Sequence, residues 1–140
     1  LRRRSGDVPV PFYEFRRCRK AAKVGIPWPI SEPSTHLHQR VSGSGPAYVF
    51  LFMEALAVGG VQVGLSREVA VRLALQTVYG AARMALEGKK HLAELKDEVA
   101  SPGGTTIAGL YALEQKGFRG TLMDAVMKAT RRSRELGENN

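Results

Sequence analysis

Apolar residues are distributed along this chain in two different ways. Through residues 1–40 they fall singly or in pairs among arginines and prolines, and no period of 3.6 or 2 is sustained. Pro9, Pro11, Pro27, Pro29 and Pro33 are spaced so that no helix of ordinary length fits between the later ones. Residues 16–24 predict about two turns of basic helix, and the rest of this segment reads as extended or irregular chain. From Ser42 onward prolines nearly vanish, and helix-start and helix-stop residues recur at regular intervals.

Five helices are predicted there. The first starts at Ser44-Gly45-Pro46, with Ser44 as its cap and Pro46 in its first turn, and runs to about Val63 before Gly64. Between Ala47 and Val61 its only charge is Glu54, so it is covered on all sides or lies in a membrane. The mid-segment Glu54 and the Gly59-Gly60 pair argue against the membrane, and Tyr48, Phe50 and Phe52 read as core. Ser66 caps a second helix that continues to about Leu86 until Gly88 ends it, with Leu65, Val69, Leu73 and Gln76 along one stripe. A third runs from His91 to about Ala100. Ser101-Pro102-Gly103-Gly104-Thr105-Thr106 then opens into a fourth that stops near Lys116-Gly117. The fifth, from about Arg119 to Leu136, brings Lys128, Arg131, Arg132 and Arg134 toward its negative end.

No strand-period alternation of useful length and no internal repeat is visible, so residues 41–140 predict an all-α bundle of about five helices, preceded by an irregular basic segment, residues 1–40. One helix that is apolar all round needs neighbours on every side, and four shorter helices of the same chain supply too few. A second copy solves this. The expectation is therefore an obligate, intertwined homodimer with the first helix near its centre, and with Glu54 and Gln62 placed for hydrogen bonds across the dimer axis.

Composition adds bounds. The 140 residues suit one ordinary domain, and 44% apolar with 24% charged residues is the balance of a soluble globular protein. The net charge of +8 raises the question of a nucleic-acid partner, but most of it sits in residues 1–40, where nine Lys/Arg face Asp7, Glu14 and Glu32. Arg2-Arg3-Arg4 and the cluster from Arg16 to Lys20 read first as solvated charge; a basic dimeric scaffold binding a polyanion through this segment is the alternative function. Cys18 cannot close an intrachain disulfide, and a reduced, cytoplasmic setting is the default. A mitochondrial leader is the other possibility, against which the prolines count. His36 and His38 lack further ligands and read as loop residues, so no metal site is expected. The chain begins with Leu1, which suggests a fragment, a processed product or an incomplete gene.

The loop before the fourth helix holds the chemistry. Two glycines ahead of a helix let a ligand approach the backbone, and the free N–H groups of the first turn, with the macrodipole, favour an anion such as a carboxylate. Thr105 and Thr106 add hydroxyls at the same place. A plainer reading stands beside this one: a capped helix start, in which a threonine supplies the cap, the glycines a turn, and nothing more.

The run from Leu95 to Glu114, LKDEVASPGGTTIAGLYALE, closely resembles the pattern of pyrroline-5-carboxylate reductases, and residues 42–48, SGSGPAY, resemble the start of the same family's helical domain. That resemblance implies a complete enzyme with an N-terminal Rossmann domain for NADPH or NADH and a C-terminal helical domain that pairs subunits, often within larger rings. It implies reduction of the cyclic imino acid 1-pyrroline-5-carboxylate to L-proline. It further implies that Ser101 and the backbone N–H groups of Gly104 and Thr105 hold the carboxylate, that the Thr106 hydroxyl hydrogen-bonds the ring nitrogen, that Val99 and Pro102 shape the pocket wall, and that Gly103 supplies the turn. Residues 1–40 contain no Gly-x-Gly-x-x-Gly turn, so this chain by itself is expected to bind no dinucleotide and to be inactive alone.

Overall fold

The computed structural model describes residues 38–138, and among these every regular element is helical. Five helices follow one another: α1 (His38–Gln62), α2 (Arg67–Glu87), α3 (Leu92–Glu98), α4 (Thr105–Gln115) and α5 (Phe118–Glu138). The all-α expectation holds, and so does the order of the elements. The expectations for residues 16–24, Cys18 and His36 lie outside the described residues.

The ends of the helices follow from local chemistry. Ser66 is extended, and its Oγ accepts from the Val69 N–H at 3.4 Å, as a cap should. Gly88 ends α2 by donating its N–H to the Met84 carbonyl at 3.0 Å. At α3 the cap is His91, whose Nδ1 accepts from the Ala93 N–H at 3.2 Å, so that helix is one residue shorter at its start than predicted and also stops earlier. Gly117 sits in the left-handed region at φ 68° and separates α4 from α5. Its carbonyl then receives both the N–H and the Oγ1 of Thr121, at 2.9 and 3.1 Å.

Three expectations are corrected. First, α1 begins at His38, so Ser44 is not its cap and Pro46 lies inside it. A proline in the interior removes one donor from the ladder, and here the helix is continuous in spite of that loss. The same place is where two compact units divide: residues 46–124 form one, and among the described residues 38–45 and 125–138 belong to the other. Second, α5 continues to Glu138, so its last turn holds no basic residue. Arg131 and Arg132 instead reach Glu135, at 4.0 and 3.0 Å, as exposed pairs worth little to stability.

The third correction concerns the core of the Pro46–Asp124 unit. Leu65 reaches the α1–α2 contact, where its Cδ1 would stand 3.4 Å from a Cβ on Gly60, but Val69 and Leu73 are 43% and 52% exposed and Gln76 is exposed too, so most of the predicted stripe lies outside the chain's own interior. The buried residues are Ala57, Ala70 and Ala74, with Val61 packed against them. Small side chains win there because they let the backbones of α1 and α2 approach closely, joined by the short connection 63–66. Phe52 stacks at a tilt on Phe118, with centroids 6.0 Å apart, but Phe50 is 64% exposed and not core. Three fully buried methyl groups, with half-buried side chains such as Phe52, Val61, Leu110 and Phe118 around them, are a small apolar interior against the entropy of ordering about a hundred residues. Meanwhile Leu51, Tyr79, Tyr111, Met123 and Met127 stand open. Gly43–Gln62 is also long and apolar enough to cross a membrane, by length and composition alone.

Candidate functional site

The chain between α3 and α4 is a tight reversal whose geometry is written in its residue types. Val99 ends α3, and Ala100 donates its N–H to the Asp97 carbonyl at 3.0 Å. The next four residues close a turn in which the Gly104 N–H donates to the Ser101 carbonyl at 3.0 Å. Pro102 and Gly103 occupy its two central positions, and Gly103 has φ 65°, a combination that identifies a type II turn. Proline presets the first of those positions, and glycine accepts the second without a Cβ clash.

Gly104 is required for a different reason. Its own backbone is extended, at φ −80° and ψ 175°, which any residue adopts. The constraint is space: a Cβ here would collide with Ser101 Oγ and stand 3.1 Å from the Ser101 carbonyl oxygen. The serine side chain therefore folds back over the glycine, and its hydroxyl is held at the mouth of α4.

Gly104 is also the N-cap of α4, and no side chain caps that helix. The plainer reading, in which a threonine does so, is thereby replaced. The first intrahelical donor is Ala108, bonded to the Gly104 carbonyl at 3.3 Å. Among the described residues, the N–H groups of Thr105, Thr106 and Ile107 have no bonded acceptor. Three adjacent donors at the positive end of a helix form a surface for a small anion. The Gly104 N–H is not among them, because the turn has taken it, and this corrects the expectation that it points to a ligand. Ile107 takes its place. The signal for this was present: Pro-Gly is itself a type II turn pair, and counting three residues on from the cap reaches Ile107.

Ser101 to Thr106 are thus gathered on one turn and the helical turn that follows it, with Val99 before them at the end of α3. Val99 is 59% exposed, Ser101, Pro102, Gly103 and Thr105 are exposed, and Gly104 and Thr106 are half-buried. The acids flanking the loop on its α3 side are both ion-paired, Glu98 with Lys90 and Asp97 with Lys96. Neither carboxylate therefore sets an uncompensated negative charge beside the donors.

Comparison with known proteins extends these observations. Residues 32–136 match the family model described as pyrroline-5-carboxylate reductase dimerisation, a span that begins upstream of residue 41. A pyrroline-5-carboxylate reductase of Pisum sativum is 56% identical over 113 residues, covering 81% of this chain and 41% of the relative. One of Arabidopsis thaliana is 61% identical over 99 residues, covering 71% and 36%. Among solved structures, the Plasmodium falciparum pyrroline carboxylate reductase with NADP bound superposes with a TM-score of 0.73 at 38% identity, over 94% of this chain and 53% of that one. A Coxiella burnetii pyrroline-5-carboxylate reductase gives 0.71 at 38%, over 93% and 49%. The chain thus spans about two-fifths of the length of these curated relatives.

Proposed function

This chain belongs to the pyrroline-5-carboxylate reductase dimerisation family over residues 32–136, and from that premise we propose that it supplies the subunit-pairing and carboxylate-holding part of an enzyme that reduces 1-pyrroline-5-carboxylate to L-proline. NADPH or NADH supplies the hydride in such a reaction. The described residues contain no strand, and so no strand–turn–helix unit of the kind that receives a dinucleotide's pyrophosphate. They do not fit the coenzyme, and no step is assigned to them through it.

The observation that carries this reading is the row of three unbonded amides at Thr105, Thr106 and Ile107, behind the Ser101–Gly104 turn. In it, those amides and the Ser101 hydroxyl hold the substrate carboxylate, and Gly103 and Gly104 keep the turn and the serine in place. Val99 and Pro102 form the wall. The Thr106 hydroxyl hydrogen-bonds the ring nitrogen, whose bonding changes as hydride reaches the neighbouring carbon. This is positioning and electrostatic assistance, with no covalent intermediate.

Pairing is the second half of the proposal. The family description, the three-alanine interior and the exposed apolar side chains on α1, α2, α4 and α5 all support a homodimer in which a second copy completes the core. The apolar residues are spread over four helices, which suits a protein partner better than a single membrane span. Larger rings of dimers, implied by the family resemblance, belong to this proposal, as does a cytoplasmic setting supported by the single cysteine. The family match falls mostly on the helices and takes in only residues 32–40 of the basic leading segment, which does not favour the polyanion-binding scaffold.

Amide hydrogen exchange on the dimeric chain with saturating L-proline tests the carboxylate reading. Slower exchange at Thr105, Thr106 and Ile107, with Gly104 unchanged because it is already bonded, is expected. A dimer whose three amides exchange at the same rate with and without proline contradicts it.

A further inference from the structure

Among the described residues α3 is the shortest helix, and the loop proposed to hold a carboxylate is its direct continuation. It runs for seven residues, Leu92–Glu98, none of them buried. A helix of two turns does not persist on its own hydrogen bonds, so its ends must be held. Two neighbouring residues ahead of it hold them. His91 caps the start: its Nδ1 accepts from the Ala93 N–H at 3.2 Å, and its carbonyl accepts from the Leu95 N–H at 3.1 Å. Lys90 ion-pairs with Glu98, the last helical residue. Beyond that pair the chain passes straight into the loop, through the bond from the Ala100 N–H to the Asp97 carbonyl at 3.0 Å and then the Ser101–Gly104 turn.

The cap depends on the charge of the ring. Nδ1 accepts only while it carries no proton, which puts the hydrogen of the neutral ring on Nε2. An imidazolium has an N–H on both nitrogens and accepts nothing. Histidine is the side chain that ordinarily takes up that proton between about pH 5 and 8. Protonation also adds a cation at the positive end of α3, next in sequence to Lys89 and Lys90. Glu94 in the first turn is of opposite sign, and Glu87 at the end of α2 is already paired with Arg83. Among the described residues the ring makes no second hydrogen bond.

We propose that His91 is a positioning residue for the carboxylate loop: neutral, it caps α3, and on protonation it releases the start of that helix and with it the fixed origin of the Ser101–Gly104 turn. This rests on the carboxylate reading above and adds a regulation of the same site by pH. The amides of Thr105, Thr106 and Ile107 attract an anion whatever the charge on His91, since they belong to α4. Acid removes instead the placement of Val99 and Ser101, which reach the site from the α3 side. A carboxylate held from both sides of the loop is then held from one.

Titration of the full chain with L-proline, read from the amide resonances of Thr105, Thr106 and Ile107, tests it at about pH 7.5 and about pH 5. The ligand's carboxylate stays ionised at both. The parent should bind roughly fivefold more weakly in acid, the scale of one lost helix cap, with a midpoint that matches the His91 ring resonances. His91→Asn keeps a capping oxygen that does not titrate, so it should bind at both pH values as the parent does in the neutral sample. His91→Ala has no cap to lose and should be weak at both. If the parent and His91→Asn lose affinity alike in acid, or His91→Ala binds like the parent in the neutral sample, this inference alone is overturned. If proline moves none of the three amides in any variant at either pH, the carboxylate reading goes and this inference goes with it.

Discussion

Gly60 of α1 lies directly against Ala70 of α2: a Cβ built on Gly60 would stand 3.1 Å from the Ala70 Cβ and 3.7 Å from its Cα. The two helices meet there backbone to backbone, and the residue that yields has almost nothing to yield with. Gly60→Phe should therefore force the hairpin apart and destabilise the fold by about 3 kcal/mol, the upper end for overpacking. Gly80→Ala is the control, since a Cβ there meets nothing within 4 Å, and it should stabilise by roughly 0.5–1 kcal/mol through helix propensity. Thermal melts at one fixed protein concentration read both. A Gly60→Phe variant that melts with the parent would show that the α1–α2 contact is not needed.

Gly104→Ala should weaken carboxylate binding without unfolding the loop, because its φ and ψ suit alanine, while the new methyl displaces Ser101 Oγ and presses to 3.1 Å from the Ser101 carbonyl oxygen. Displacing one hydrogen bond to a charged group costs about 1.5–3 kcal/mol. With this domain joined to a dinucleotide-binding domain of the family, KM for the imino acid should rise at least about tenfold. An unchanged KM would remove Ser101 from the site.

Thr106→Val keeps the shape of the side chain and deletes its hydroxyl, so it tests the contact to the ring nitrogen. In the same joined protein kcat should fall roughly 100-fold, the scale for losing one preorganised donor. Thr106→Ser, which restores the oxygen, should recover most of that loss. If valine and serine behave alike, the hydroxyl has no part in the reaction.

Leu51→Asp asks whether the exposed arc of α1 is free. At 67% exposure a charge there should be harmless in an isolated chain. Against a second copy it is an unpaired charge in an apolar contact, and the dimer dissociation constant should rise by roughly a hundredfold or more. Sedimentation equilibrium decides, and an unaltered dimer would place the interface elsewhere.

Much of the fold could be read from punctuation. Ser66, Gly88 and Gly117 mark the ends of helices in the sequence and do so in the structure, because capping and chain reversal depend on a few neighbouring atoms. The inward face of α2 was not legible in the same way. Leu65, Val69 and Leu73 outweigh Ala70 and Ala74 on any scale of apolarity, yet the alanines are buried and the larger residues are not. In the proposed dimer the chain would pack both on itself and on a copy and so have two interiors, and periodicity alone does not say which is which.

The loop shows the same division. Ser101, Gly104 and Thr106 were singled out from the sequence, and the turn that gathers them follows from Pro102-Gly103. What was missed is which amide the turn consumes: Gly104's goes to Ser101, and the row of donors moves on to Ile107. That is a question of register, settled by one hydrogen bond. Ser44 and Pro46 failed for a related reason, since a proline near a glycine signals a helix start only when the ladder does not continue through it.

An interior made of Ala57, Ala70 and Ala74 reverses the usual sense of tolerance to mutation. In a self-sufficient domain, variation collects at open positions and the covered ones resist it. Here Phe50, Leu73 and Tyr111 stand open in the single chain, and these are where a polar replacement should do the most harm. If a second copy completes the core as proposed, heating curves should shift with dilution as well, because folding and association are then linked by mass action.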